Sequence, residues 1–171
     1  MNPSAPLSST DETRAASASI YVDADACPVK SEILKVAERH GMPVIFVANG
    51  GLRPSRDPMV RNVIVSGKFD AADDWIVEHA KSNDIVVTAD IPLASRCVEN
   101  GALVLGPTGK RFDAGNIGMV SAMRDLSQHL RESGEIKGYN AAFSARDRSQ
   151  FLQTLEDVAR QARNARASDK F

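Results

Sequence analysis

Hydrophobic residues in this chain fall into short runs separated by stretches of helical spacing. Residues 20–22 form the first run and end on Asp23. Residues 44–48, 60–65, 85–88 and 102–105 form four more. These runs lack regular polar alternation, as expected of strands covered on both faces. Between them the apolar positions take a helical period. Val29, Ile33, Val36 and Ala37 mark a helix over 29–39, with Pro28 where helices begin and Gly41 and Pro43 closing it. Ala72, Ile76 and Ala80 mark one over 71–81, and residues 92–99 another that ends at Asn100-Gly101. Ile117, Val120, Met123 (or Arg124) and Leu130 predict a helix over 117–130. A last helix opens at Ser144-Ala145-Arg146-Asp147 and carries Phe151, Leu152, Leu155 and Val158. Alternating strands and helices predict an α/β fold, a mainly parallel sheet between helix layers.

The 171 residues suit one domain, and neither an internal repeat nor a linker divides them. Residues 1–18 are rich in Ser, Ala and Pro and are expected to be a disordered tail. They lack the apolar stretch of a signal peptide. The domain is expected over 19–164, with 165–171 fraying. Residues 133–142, with Gly134, Gly138 and Asn140, are the expected flexible loop.

Net charge narrows the partners. At −1, the chain has no overall attraction for nucleic acid, so any such contact needs a local basic patch. Cys27 and Cys97 have no metal-ligand spacing, which argues for a reducing, cytoplasmic setting. No apolar run approaches the ~20 residues that span a bilayer, so no membrane partner is expected.

The chemistry lies in the acids. Ligands of open parallel sheets bind beyond the carboxyl ends of the strands. Asp23 and Asp25 follow the first strand and Asp90 follows the fourth. Asp70, Asp73 and Asp74 open the helix between the third and fourth strands, on one helix face by spacing. Crowded carboxylates repel, and a divalent cation stabilises their ionised form. Magnesium takes one or two carboxylates, keeps waters and completes its shell with phosphate. Such a site polarises a phosphodiester and activates water. Asp70 reads equally well as a helix cap, and Asp57, Asp84 and Asp113 read as loop or turn residues. Asp23 and Asp90 each end an apolar strand, and neither precedes a helix in a simple capping box.

Three segments together bring a family into view. Ile20-Tyr21-Val22-Asp23-Ala24-Asp25-Ala26-Cys27-Pro28-Val29-Lys30 resembles the opening of the bacterial YaiI/YqxD family, which is similar to PIN-domain nucleases. Phe69-Asp70-Ala71-Ala72-Asp73-Asp74-Trp75-Ile76-Val77 and Thr88-Ala89-Asp90-Ile91-Pro92-Leu93-Ala94 extend the match. A weaker one follows in Asn116-Ile117, Met123-Arg124-Asp125-Leu126, Phe143-Ser144, Asp147-Arg148 and Phe151. The resemblance implies a PIN-like three-layer α/β/α domain. It implies that Asp23, Asp73 or Asp74, and Asp90 bind Mg2+ or Mn2+ and carry catalysis, with Asp25 as a further candidate ligand from the family's opening. PIN enzymes put an isolated acid on the middle helix. Here three compete, and the sequence does not choose. The expected activity is metal-dependent phosphodiester hydrolysis, of RNA rather than DNA.

Other residues fill in the picture. Asn49, Lys30, Arg53 and Arg56 are candidate substrate contacts, Asn49 because Asn49-Gly50-Gly51 ends the second strand at the functional edge. Cys27 precedes a helix start, where a thiolate is stabilised, but with no His partner nearby in sequence it reads as a packed or accessory cysteine rather than a catalytic thiol. Arg124 and Arg148 sit where an ion pair, in the acidic pocket or elsewhere, is expected. His40, His79 and His129 share no short motif. Gly106-Pro107-Thr108-Gly109-Lys110 lacks P-loop spacing. Two alternatives stand beside the nuclease. One is a PIN-like module that binds metal or RNA without cleaving it. The other is a haloacid-dehalogenase-like phosphatase, which also places Asp-x-Asp after its first strand. Against it, Ala26 follows Asp25, and the second strand ends in Asn49 rather than Ser or Thr.

Overall fold

The computed structural model describes residues 17–25, 27–135 and 142–168. Its elements run β1 (Ile20–Asp23), α1 (Lys30–His40), β2 (Val44–Ala48), β3 (Val60–Ile64), α2 (Ala71–His79), β4 (Ile85–Val87), α3 (Ile91–Glu99), β5 (Leu103–Leu105), β6 (Arg111–Phe112), α4 (Ile117–Glu132) and α5 (Ala145–Ser168). The sheet order is β3-β2-β1-β4-β5-β6, parallel except for β6 against β5. The expected α/β architecture is present: a mostly parallel sheet with helices on both sides.

The two-residue period of a strand sorts its side chains between two cores. Ile20, Val22, Phe46, Ile85, Val87 and Leu105 face one side, against Ile33 and Val36 of α1 and Phe151, Leu155 and Val158 of α5. Ile45, Val47, Val86 and Val104 face the other, against Ile76 of α2 and Leu93 and Cys97 of α3. By the same period Tyr21 and Asp23 point to the α2–α3 side. A helix that follows a parallel strand starts at the sheet's carboxyl edge, so the first turns of α2 and α3, after β3 and β4, lie on that side and at that edge.

Several boundaries differ from expectation. Ala18 is buried in the α1–α5 core, so the folded region begins inside the segment expected to be tail; residues 1–16 lie outside the described part, as does most of the expected loop, 136–141. α5 stays helical through Ser168, past the residue 165 where fraying was expected, because Arg166 reaches back 2.8 Å to Asp84. Asp84 is buried, and it also accepts the Ser19 and Lys81 amides at 3.1 and 3.0 Å, more than a turn residue does. α4 forms as expected but contributes no buried residue; Met119, Met123 and Leu126 are exposed. The turn before β6 packs on α5: Gly109 has φ +89°, and a Cβ there would meet the Gln150 backbone at 2.7 Å. Among the described residues no helix is long and apolar enough to cross a membrane.

Candidate active site

The chain leaves β1 for β2 on one side and later returns to place β4 on the other. The β1–β4 seam is therefore the switch point of the sheet, where ligands of such folds bind. Asp23 ends β1 here and Thr88 follows β4. The Thr88 hydroxyl donates to Asp23 Oδ2 at 3.0 Å, and its oxygen accepts the Asp90 amide at 3.0 Å. Asp90 Oδ1 in turn accepts the Leu93 amide at 3.1 Å. Asp90 is thus the N-cap of α3, contrary to the expectation from its sequence context; the capping box is missing because Leu93, not Glu or Gln, stands three residues on.

Asp73 completes the group from the first turn of α2. Burial and the neighbouring charges of Asp90 and Asp23 push its carboxyl up to about 6, against the pull of Arg96. Asp23 is raised too, by burial first, then by Asp90 and Asp25, with the Thr88 hydrogen bond opposing. These mutual effects are the signature of carboxylates that share one field. Asp74 turns away and pairs with Arg96 at 2.9 Å. Asp70 precedes α2 without a side-chain cap bond and lies close enough to raise Asp73. Asp25 is exposed; its Oδ2 accepts the Asn49 amide at 3.2 Å, which ties the ends of β1 and β2 together.

Asp23, Asp25, Cys27, Val87, Thr88, Ala89 and Pro107 line a cleft of about 30 Å3. That is room for roughly one or two waters or an ion. Among the described residues no three His, Cys, Asp or Glu side chains are gathered into a ready-made metal cage. The donor set suits a hard cation that binds one or two carboxylates and keeps its water. Asp23 and Asp90 each have one oxygen in a hydrogen bond inside the protein, and each carries a second oxygen.

The profile of the uncharacterized BCR, YaiI/YqxD family matches residues 21–161. The chain belongs to this family. It is similar to the UPF0178 proteins of Rhizobium meliloti (75% identical over 84% of this chain and 99% of the relative) and Agrobacterium fabrum (74%, over 84% and 94%). The UPF0178 protein of Parvibaculum lavamentivorans is 56% identical over 84% of this chain and 95% of its own length. No solved structure matches the chain. The aspartates of all three acidic segments fall within the matched region.

The remaining candidates separate by position. Lys30 opens α1, close enough to Cys27 to lower its pKa. Burial outweighs that effect and raises the Cys27 thiol, in keeping with a packed cysteine. Asn49 is exposed and contributes its amide to Asp25. The loop after β2 must return to the amino end of β3, because the two strands are parallel. Arg53 leads down beside β3, where its carbonyl accepts from Asn62. Arg56 adjoins Asp57, which shares a pocket with Gly41, Met42 and Val44 at the sheet's amino end. The Arg56 backbone is therefore carried away from Asp23. Neither expected arginine pairs with the acids: Arg124 lies 3.5 Å from Asp125, and Arg148 binds Glu32 at 2.7 Å on the opposite face of the sheet. Sequence reasoning missed Thr88 and Arg96. Thr88 had a signal, a hydroxyl two residues before a cap aspartate; Arg96, mid-helix, had none.

Proposed function

We propose that this protein is a divalent-metal-dependent phosphodiesterase acting on nucleic acid, RNA rather than DNA. The observation that carries the reading is the hydrogen-bonded chain Asp23–Thr88–Asp90 at the β1–β4 switch point, with Asp73 raised to about 6 beside it. Protein groups alone leave these carboxylates in mutual repulsion. A cation relieves it and lets an anionic backbone approach an acidic site. Asp23, Asp73 and Asp90 are the proposed metal-binding and catalytic residues, one or two of them holding Mg2+ or Mn2+ directly and the rest through its water. Bound there, the ion would polarise the phosphodiester and lower the pKa of a water. Asp25 and Asp74 are second candidates, each with its carboxylate already engaged by Asn49 or Arg96. The choice of RNA follows the resemblance to PIN-domain nucleases.

Labelled RNA and DNA incubated with Mn2+, with Mg2+ and with chelator test the reading. Cleavage with either metal and none in chelator is the expected result. Equal cleavage in chelator removes the metal mechanism. Hydrolysis of phosphomonoesters in place of polynucleotides turns the reading to a phosphatase. Metal-dependent RNA binding without cleavage turns it to a binding module.

A further inference from the structure

The connection from β3 to α2 arrives at the same carboxyl edge as the acids. It carries an apolar side chain where burial would be expected to decide its place. Phe69 is 100% exposed, more than any other large hydrophobic residue described. The other aromatic side chains near α2 are engaged with one another. Trp75 stacks on His79 at 3.7 Å between centroids, and Tyr21 lies 6.1 Å from Trp75. Phe69 stands between Lys68 and Asp70, one helical turn before Asp73. Phe69 lies two residues before α2, and α2 packs on β1, the strand that ends in Asp23, so this connection and the acids share one edge of the sheet.

The cleft between Asp23 and Pro107 has only about 30 Å3 and admits no nucleobase. A substrate that presents a phosphate to the acids must leave its bases outside. The acids repel the rest of the backbone, so grip has to come from groups that are neutral or basic. An exposed phenyl ring offers a neutral face for any base, and the adjacent Lys68 offers a cation for a flanking phosphate. Bases within a duplex are stacked on each other and cannot use such a ring; unpaired bases can.

We propose that Phe69 is a stacking platform for an unpaired base of a single-stranded nucleic acid whose neighbouring phosphate lies at the Asp23–Asp73–Asp90 site. This rests on the phosphodiesterase reading and adds to it a substrate class, single strands, read without strong sequence preference.

Binding is measured on the full chain carrying Asp23→Asn, by fluorescence anisotropy of a labelled single-stranded RNA. Adding Phe69→Ala is expected to weaken binding about tenfold, as loss of one base–aromatic stack does. Phe69→Trp is expected to restore it. A duplex of the same sequence, and a strand with abasic positions, are expected to bind weakly and to ignore the Phe69 substitution. Thermal melting checks that Phe69→Ala folds, which its full exposure favours. Equal binding with and without the Phe69→Ala substitution overturns the platform, whatever the cleavage assay gives. Phe69-dependent binding with no cleavage under any metal supports the platform and removes the phosphodiesterase. Cleavage that is indifferent to Phe69 and to strandedness does the reverse.

Discussion

Thr88 and Asp23 are joined by a hydrogen bond of 3.0 Å across the β1–β4 seam, and Thr88 is itself buried. Because the same hydroxyl oxygen accepts the Asp90 amide, one small side chain fixes both strand-end acids. Thr88→Val keeps the shape and removes both bonds. Stability should fall by about 1–2 kcal/mol, the cost of leaving buried polar groups unpaired. The bond holds the Asp23 carboxyl down, so its loss should raise that group further and move the acid limb of any metal-dependent activity to higher pH. Urea titration and a pH–rate profile read the two effects. An unchanged profile would mean that Thr88 only fills space.

Asp23→Asn should nearly abolish metal-dependent cleavage and leave the fold intact. The substitution removes a ligand charge but keeps the atom that accepts from Thr88. Asp57→Asn should leave activity near wild type, since Asp57 serves the turn before β3, accepting the Met59 amide at 2.9 Å. Rates on labelled RNA, with circular dichroism as the control for folding, make the comparison. Full activity in the Asp23 variant would defeat the mechanism.

Asp73→Asn should raise stability near neutral pH when no divalent metal is present. The folded-state carboxyl titrates at about 6, above its unfolded value near 3.8. The folded protein therefore binds the proton more tightly than the unfolded chain, and this group's contribution to stability falls as pH rises between those values. Below that window Asp73 is protonated in both states and the substitution gains nothing. Above it the variant escapes the cost of burying a charge and the repulsion of Asp90 and Asp23. Thermal melts at pH 3.5, 5 and 7, in chelator, should show a gain that grows with pH. A gain that is flat across the series, or largest at pH 3.5, would contradict this account.

The helices and five of the six described strands were legible because their apolar runs are long enough to carry a period. β6 was not: Arg111–Phe112 is two residues long and exists by pairing with Val104 and Leu105. That Asp23 and Asp90 end strands at the carboxyl edge was legible from the apolar runs before them; that β1 and β4 are neighbours was not, because the sequence carries no strand order. The choice among Asp70, Asp73 and Asp74 was not, since i, i+3 and i, i+4 spacing puts all three on one face. The partner on α3 separates them: Arg96 takes Asp74 and leaves Asp73 with the acids. Met123 fitted the helical period yet is exposed, because periodicity predicts a helix and says nothing of whether a second layer covers it.

Arg148→Met should destabilise the protein by about 2 kcal/mol, within the range for losing a hydrogen bond to a charged group. Glu32 is only 4% exposed. Its burial works against ionisation, but the Arg148 hydrogen bond and charge, with help from Ser31, outweigh it and hold the carboxyl below its ordinary value. A depressed folded-state pKa means stability that is present above the unfolded value and lost as pH falls through the folded one. The penalty of Arg148→Met should accordingly be larger at pH 7 than at pH 3. Denaturation at the two pH values decides it; equal penalties would show that packing, including the Arg148 contact with the Phe143 ring at 5.1 Å, carries the effect instead.

Deleting residues 165–171 should cost about 1–3 kcal/mol, although composition marks them as expendable. The deletion removes Arg166, whose guanidinium bonds buried Asp84 at 2.8 Å. Asp84 keeps the Ser19 and Lys81 amides, so the loss is that of one charged hydrogen bond rather than of an isolated buried ion. Those amides lie just before β1 and just before β4, the two strands that present Asp23 and Thr88 at their far ends. Deleting only 169–171 spares Arg166 and should change stability little. Arg166→Met should reproduce most of the larger deletion's cost. Chemical denaturation of the three variants provides the comparison. If the chain ending at residue 164 unfolds at the same midpoint as the full chain, the Arg166–Asp84 pair does not anchor α5, and its helix beyond residue 164 adds nothing to the fold.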